Sequence, residues 1–261
     1  AAGLSAALDD AHLLAWGWRV PFLVGGAFGL GAMWVRRKLH ETPVFAELRE
    51  HRALAAELPL KTVLRAHPRE VLLAMLLTWL LTAVVVVAIL MMPTFLQQQG
   101  VPRTTALAAN SLAIVCAMFG NLAAGAAADR FGEGRVLAAW SVLAGASFWL
   151  LYTLAPHAPS LLIPLYALAG FGVGITAMVP SIAVAAFPAP IRFSGLSFSY
   201  NVAYAICGGA TPVLVTLAMR RDPLAPAQYL AAMAVVGVAL GLWVEARKRR
   251  AVAGSVGAAM A

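Results

Sequence analysis

Charge is what this sequence has least of. Only 11 % of its 261 residues are Asp, Glu, Lys or Arg, against about 25 % in soluble globular domains. A soluble chain of this length covers its core with charge, and one that is 62 % hydrophobic has too little to do so. The deficit is also concentrated. Val71–Met92, Thr104–Ala128, Val136–Ala155, Ser160–Phe187, Phe193–Met219 and Pro223–Val244 contain no acidic, basic or histidine side chain. Val20–Val35, between Arg19 and Arg36, is a shorter seventh stretch. Cysteine is scarce too. Cys116 and Cys207 both fall inside such stretches, which excludes a disulfide framework or a metal-ligand spacing and leaves them as small packing residues. No Ser/His/Asp set, paired carboxylates or His/Cys cluster can be assembled at membrane depth, so the chain reads as neither an enzyme nor a metal or cofactor protein. There is no initiator Met and no signal peptide. The opening AAGLSAAL is apolar but too short to span, and reads as the tail of a helix that begins elsewhere.

What is present is length. A bilayer's hydrocarbon core takes about 20 helical residues to cross. Barrel strands alternate over about ten residues, whereas these runs are long and apolar on every side. With no water to satisfy backbone groups, helices are then the solution. The expected fold is an all-α polytopic membrane protein with spans at about 18–35, 70–92, 104–128, 136–155, 160–187, 193–219 and 224–245.

The net charge of +8 is distributed asymmetrically. Eight basic residues lie in 36–69, Arg130 and Arg135 in the next loop on that side, Arg192 in the one after, and Arg247–Arg250 at the end: fifteen in all. The other side has Arg19, Arg103, Arg220 and Arg221. This is the positive-inside pattern, which makes 36–69 and the C-terminus cytoplasmic and argues against nucleic acid as the partner. Arg247–Arg250 reads as a stop-transfer cluster against lipid headgroups. Within 36–69, Thr42-Pro43 suits a helix start, and Phe45, Leu48, Leu54 and Leu58 form an apolar stripe for a helix lying on the membrane surface. The remaining connections are short, so consecutive spans are antiparallel neighbours.

Three motifs carry more. They are WGWRVPF at 16–22 followed by ETPVF at 41–45, then Gly125-Ala-Ala-Ala-Asp129-Arg130-Phe131-Gly132-Glu133-Gly134-Arg135, and Phe187–Pro212, FPAPIRFSGLSFSYNVAYAICGGATP. Together they resemble the major facilitator superfamily and, within it, the metabolite:proton symporter family of proline/betaine, 2-oxoglutarate, citrate and shikimate transporters. The resemblance covers residues 13–250. It implies twelve spans in two six-helix bundles. On that frame 1–17 is a remnant of span five with an external loop and 18–35 is span six. Residues 36–69 form the central cytoplasmic loop, 70–246 the C-terminal six-helix bundle, and 247–261 a cytoplasmic tail. The implied activity is secondary active transport in the cytoplasmic (inner) membrane: proton symport of a small osmolyte or carboxylate by alternating access. The implied partners are that metabolite, protons and membrane lipids, with a monomeric carrier. The rival class is a transport-inactive scaffold or sensor derived from a transporter.

The resemblance also assigns roles. The loop residues Gly125, Asp129, Arg130, Gly132 and Arg135, with Arg192, become a cytoplasmic latch in which Asp129 faces the positive N-terminal end of the helix starting near Phe193. Two departures weaken it: Glu133 stands where the family has Arg, and Arg135 lies beyond Gly134. The bland alternative is that Asp129 and Arg130 only cap helices. Gly170-x-Gly172-x-Gly174 lies inside an apolar span, not between strand and helix, so it is no dinucleotide loop. Gly208, Gly209 and Pro212 are hinge candidates. Polar residues within spans are the substrate-path candidates: Thr78, Trp79, Thr82, Tyr166, Thr176, Tyr200, Asn201 and Tyr204, with Trp79 and Tyr166 foremost. Against this, each Ser or Thr can simply bond its own helix carbonyl. No acid lies mid-span and all five histidines sit in loops or at helix ends, so the proton-coupling group is expected in the other bundle.

Overall fold

The computed structural model describes residues 9–37 and 59–259. The surface helix expected around residues 42–58 lies outside them. Asp9 caps the first short helix, α1 (Asp10–Ala15). Its Oδ1 accepts from the His12 backbone N–H at 2.9 Å, which holds the carboxyl below its ordinary range. There follow α2 (Gly17–Arg36), α3 (Pro59–Ala66), α4 (Pro68–Gln98), α5 (Arg103–Phe131), α6 (Glu133–Leu154), α7 (Pro159–Ala186), α8 (Ala189–Met219) and α9 (Ala225–Ala259). No strand occurs among the described residues. Seven of these helices, α2 and α4–α9, are long and apolar enough to cross a membrane. The all-α polytopic expectation therefore stands.

The spans associate through small residues, as helices must when lipid is as apolar as their own side chains. In α7, Gly170 and Gly174 lie against α5: an added Cβ would stand 2.3 Å from the Ala113 carbonyl oxygen and 2.3 Å from the Gly120 carbonyl carbon. Gly172, on the opposite face, abuts Ala144 of α6. Gly134 of α6 and Gly241 of α9 approach backbone to backbone, each with the other's carbonyl oxygen within 2.6 Å of a built Cβ. The Gly170–Gly174 run is thus a two-sided contact surface. α4, α6 and α7 are the most buried spans, and α2 is exposed from Pro21 onward.

Three spans depart from regular α-helix, each beside a proline. α4 widens into a π-helical segment at Val86–Met91 before Pro93. α7 tightens into a 3₁₀ segment at Val173–Ala177 before Pro180. α8 widens again at Tyr204–Gly208 before Pro212. A proline ring clashes with the carbonyl four residues earlier. Those residues are Ile89, Thr176 and Gly208, and all three lie in the irregular segments. Changing the local winding relieves the clash without ending the helix. The sequence reading ended the first bundle span at about 92, whereas α4 continues past Pro93 to Gln98. The C-terminal segment is likewise helical to Ala259.

Candidate functional site

Near the middle of the bundle α4, α7 and α8 part to form a cleft of about 570 Å³. Leu81 and Val85 of α4 form one wall and Thr176, Val179 and Pro180 of α7 another. The third, from α8, carries Ser197, Tyr200 and Asn201. The irregular turn of α7 places Thr176 at this wall. Thr176 donates to Asn121 Oδ1 of α5 at 3.0 Å, and Asn121 donates its own amide to the Ala117 carbonyl. Asn201 bonds the Ser197 carbonyl at 2.8 Å and is exposed. The rings of Tyr200 and Tyr204 stack at 5.7 Å between centroids, confirming a shared face one turn apart. Tyr204 sits against Gly208 just beyond the cleft. The lining contains hydroxyl, amide and aromatic groups and no charge.

The other path candidates lie elsewhere. Thr78 and Thr82 are buried, and their hydroxyls bond their own helix at the Ala74 and Trp79 carbonyls, 2.7 and 2.8 Å away. That is the bland alternative for a helix threonine. Tyr166 is fully buried. Its hydroxyl donates to the Ala88 carbonyl at 2.8 Å, in the π segment of α4, and also meets the Asn110 side chain. The one phenol proton thus has two acceptors in reach, the Ala88 carbonyl and Asn110 Oδ1. Tyr166 therefore braces α4 and α5 from within the core. The sequence marked it as polar in an apolar span, but that signal does not separate a core brace from a cavity group.

Trp79 anchors a hydrogen-bond chain. Its indole N–H donates to the Tyr229 hydroxyl of α9 at 2.9 Å. Tyr229 meets Thr211 Oγ1 at 2.9 Å, and Thr211 bonds the Cys207 carbonyl at 2.6 Å. Because an indole can only donate and a carbonyl only accept, every proton in the chain has one consistent direction, from Trp79 to Cys207. Cys207 belongs to the π segment of α8, and Gly208, Gly209 and Pro212 follow it. The three hinge candidates thus sit at a winding irregularity that is tied across to α4 and α9. Tyr229 was not singled out in the sequence; it lies 150 residues from Trp79, and nothing local marks it.

The basic loop and tail come together at one end of the bundle. Arg247 pairs with Glu70 at 2.8 Å, Arg135 with Glu245 at 3.0 Å, Arg249 with Glu245 at 3.2 Å and Lys248 with Glu133 at 3.6 Å. Ser181 of α7 also donates to Glu133. Three members of the Arg247–Arg250 cluster are therefore bound to carboxylates of α4, α6 and α9. Asp129 is exposed and has no hydrogen-bond or ion-pair partner among the described residues. Arg130 lies over the Phe131 ring at 5.4 Å. Gly125 has open space beside it, and Gly132 makes the turn into α6 at φ +91°. The carboxylate engaged in this loop is Glu133, the position that departs from the family pattern. Arg192 donates to the Phe187 carbonyl at 3.2 Å, and Gly195 packs on the Phe187 ring, so this part of the motif holds the turn between α7 and α8. The charge ladder escaped the sequence reading because the positive-inside count weighs bases alone. Glu70, Glu133 and Glu245 at same-side span ends were its one visible signal.

These features define a polytopic helical membrane protein whose proline-broken helices surround an uncharged cleft. The sequence model described as Major Facilitator Superfamily matches residues 3–212, and the chain belongs to that superfamily. It is similar to a citrate-proton symporter of Klebsiella pneumoniae, 31 % identical over 242 residues, covering 90 % of this chain and 54 % of the relative. It is also similar to the inner membrane metabolite transport protein YhjE of Escherichia coli, 31 % identical over 246 residues, covering 88 % of this chain and 54 % of that one. A candidate proline/betaine transporter of Staphylococcus aureus is 29 % identical over 248 residues, at 88 % and 50 % coverage. The chain spans about half the length of the curated relatives it matches. No solved structure matches it.

Proposed function

We propose that this chain supplies the C-terminal half of a secondary active transporter that moves a small organic metabolite, an osmolyte or carboxylate, by proton symport. The observation that carries the reading is the cleft between α4, α7 and α8, whose Thr176, Tyr200 and Asn201 offer hydrogen-bond groups at mid-span depth. All three of its walls contain a proline-associated change of winding. Walls that bend without breaking suit alternating access, in which one bundle rocks against the other. On this reading α2 belongs with the partner bundle, the basic end of α4–α9 faces the cytoplasm of the inner membrane, and the carrier works as a monomer. Every acid in the sequence lies in a loop or near a span end. The coupling carboxylate of the proposal therefore belongs to the other bundle.

The test is uptake into proteoliposomes by the complete transporter under an imposed inward proton gradient, with citrate, proline and betaine as probes. Gradient-driven accumulation of one of them is expected, and Asn201→Ala should raise KM about tenfold, the loss of one good hydrogen bond. Accumulation of none, at normal membrane levels, would establish the scaffold alternative. An unchanged KM in Asn201→Ala would remove the cleft from the path.

A further inference from the structure

At the other end of the bundle, away from the charge ladder, α4, α8 and the start of α9 enclose a second cleft of about 560 Å³. α4 and α8 both begin beside α3, so their C-terminal ends reach this side together. The charged and amide groups of the cleft are gathered at its mouth: Gln98 and Gln99 at the end of α4, and Arg220 just beyond α8. None of these three side chains has a hydrogen-bond or ion-pair partner among the described residues. Below the mouth the wall is mainly apolar, with Val87, Leu90 and Met91 on α4 and Pro212 and Met219 on α8, interrupted by Thr94, Thr216 and Tyr152. Leu90 is 63 % exposed.

The dimensions select an occupant. Gln99 and Val87 are twelve residues apart, which is about 18 Å along a helix. One leaflet of the hydrocarbon core is half of roughly 30 Å. The groove is thus one leaflet deep, with an unpaired guanidinium and two free amides at headgroup level and hydrocarbon below. A small soluble anion would occupy the mouth and leave the apolar groove unfilled. A zwitterionic phospholipid would fill the groove and offer a phosphate, but it brings its own ammonium beside Arg220. An anionic phospholipid offers the phosphate to Arg220 in charge-assisted bonds with no competing cation.

We propose that this cleft is a binding site for an anionic phospholipid of the leaflet on the Gln99–Arg220 side, with its phosphate on Arg220, Gln98 and Gln99 and one acyl chain along Leu90, Met91 and Met219. The site stands on the membrane-spanning reading of the helices and is independent of what the protein transports.

The test is native mass spectrometry of the 261-residue chain released from detergent micelles with added phosphatidylglycerol or phosphatidylcholine. Phosphatidylglycerol is expected to bind about tenfold more tightly than phosphatidylcholine. Arg220→Gln should erase that preference and Arg220→Lys should keep most of it. Arg221→Gln, beside the cleft but outside its lining, should leave it unchanged. Thr216→Trp, which fills the groove and leaves the arginine in place, should weaken both lipids. The proposal is overturned if the two lipids bind equally, if Arg220→Gln keeps the preference, or if inorganic phosphate displaces the lipid and so reveals a simple anion pocket. A melting temperature measured for each variant separates loss of the site from loss of the fold.

Discussion

At the scale of single residues, the hydroxyls and the indole matter less for what they expose than for what they tie. Two tyrosines serve the two π segments. Tyr166 donates to the Ala88 carbonyl in α4, and Tyr229 reaches the Cys207 carbonyl in α8 through Thr211. In hydrocarbon an unpaired indole N–H has no water to turn to. Removing the Tyr229 hydroxyl should therefore cost about 1–3 kcal/mol, the penalty for a buried donor left without an acceptor. We expect Tyr229→Phe to lower the melting temperature in detergent. Trp79→Phe placed on top of it should add less than Trp79→Phe costs alone, since the pair shares one bond. Additive losses would show that the chain of bonds contributes nothing as a unit.

At the scale of elements, small residues and prolines divide the work. The glycines of α7 set how closely it approaches α5 and α6, and the prolines set where α4, α7 and α8 change their winding. Position matters more than residue type. A Cβ at Gly174 would stand 2.3 Å from the Gly120 backbone, which cannot swing away as a side chain could, while Gly209 has nothing within 4 Å. Overpacking of this kind costs typically 1–3 kcal/mol. Exchanging a helical glycine for alanine in open space gains up to about 1 kcal/mol. Gly174→Ala should lower the thermal stability of the purified protein and Gly209→Ala should hold or raise it. Equal effects at the two positions would mean that the α5–α7 contact is looser than the geometry requires.

At the scale of the whole molecule, one end carries an ion-pair ladder and the other carries Arg220 and Arg221, which have no ion-pair partner among the described residues. Exposed pairs of this kind are each worth about 0.2–1 kcal/mol, so the ladder does not hold the bundle together by strength. It fixes how the ends of α4, α6 and α9 on that side meet. The orientation is testable in a background of Cys116→Ser and Cys207→Ser. A cysteine at Gln99 should react with an impermeant maleimide added to intact cells, and one at Lys248 only after permeabilisation. The reverse pattern would invert the topology and move the ladder to the outside.

The all-α polytopic class and superfamily membership were legible in the sequence, because they depend on where charge is missing and on motifs contiguous in the chain. A bilayer enforces the first in a way that no tertiary contact can override. The C-terminal boundary of α4 was not legible, since whether Pro93 ends or bends a helix depends on the winding of the preceding turn. The site was legible only in part. Tyr200 and Tyr204 share a face by spacing alone, and the structure puts Tyr200 and Asn201 with Thr176 on one cleft. Thr78, Thr82 and Tyr166 have the same composition signal, yet they point into contacts with their own or neighbouring backbone. The partners of Trp79 and Arg247 lie 150 and 177 residues away in the chain. Residue type and local spacing determined that these groups would be polar, intramembrane or charged at a span end; only the packing of α4 against α8 and α9 decided which of them are satisfied within the protein and which remain free to meet a ligand.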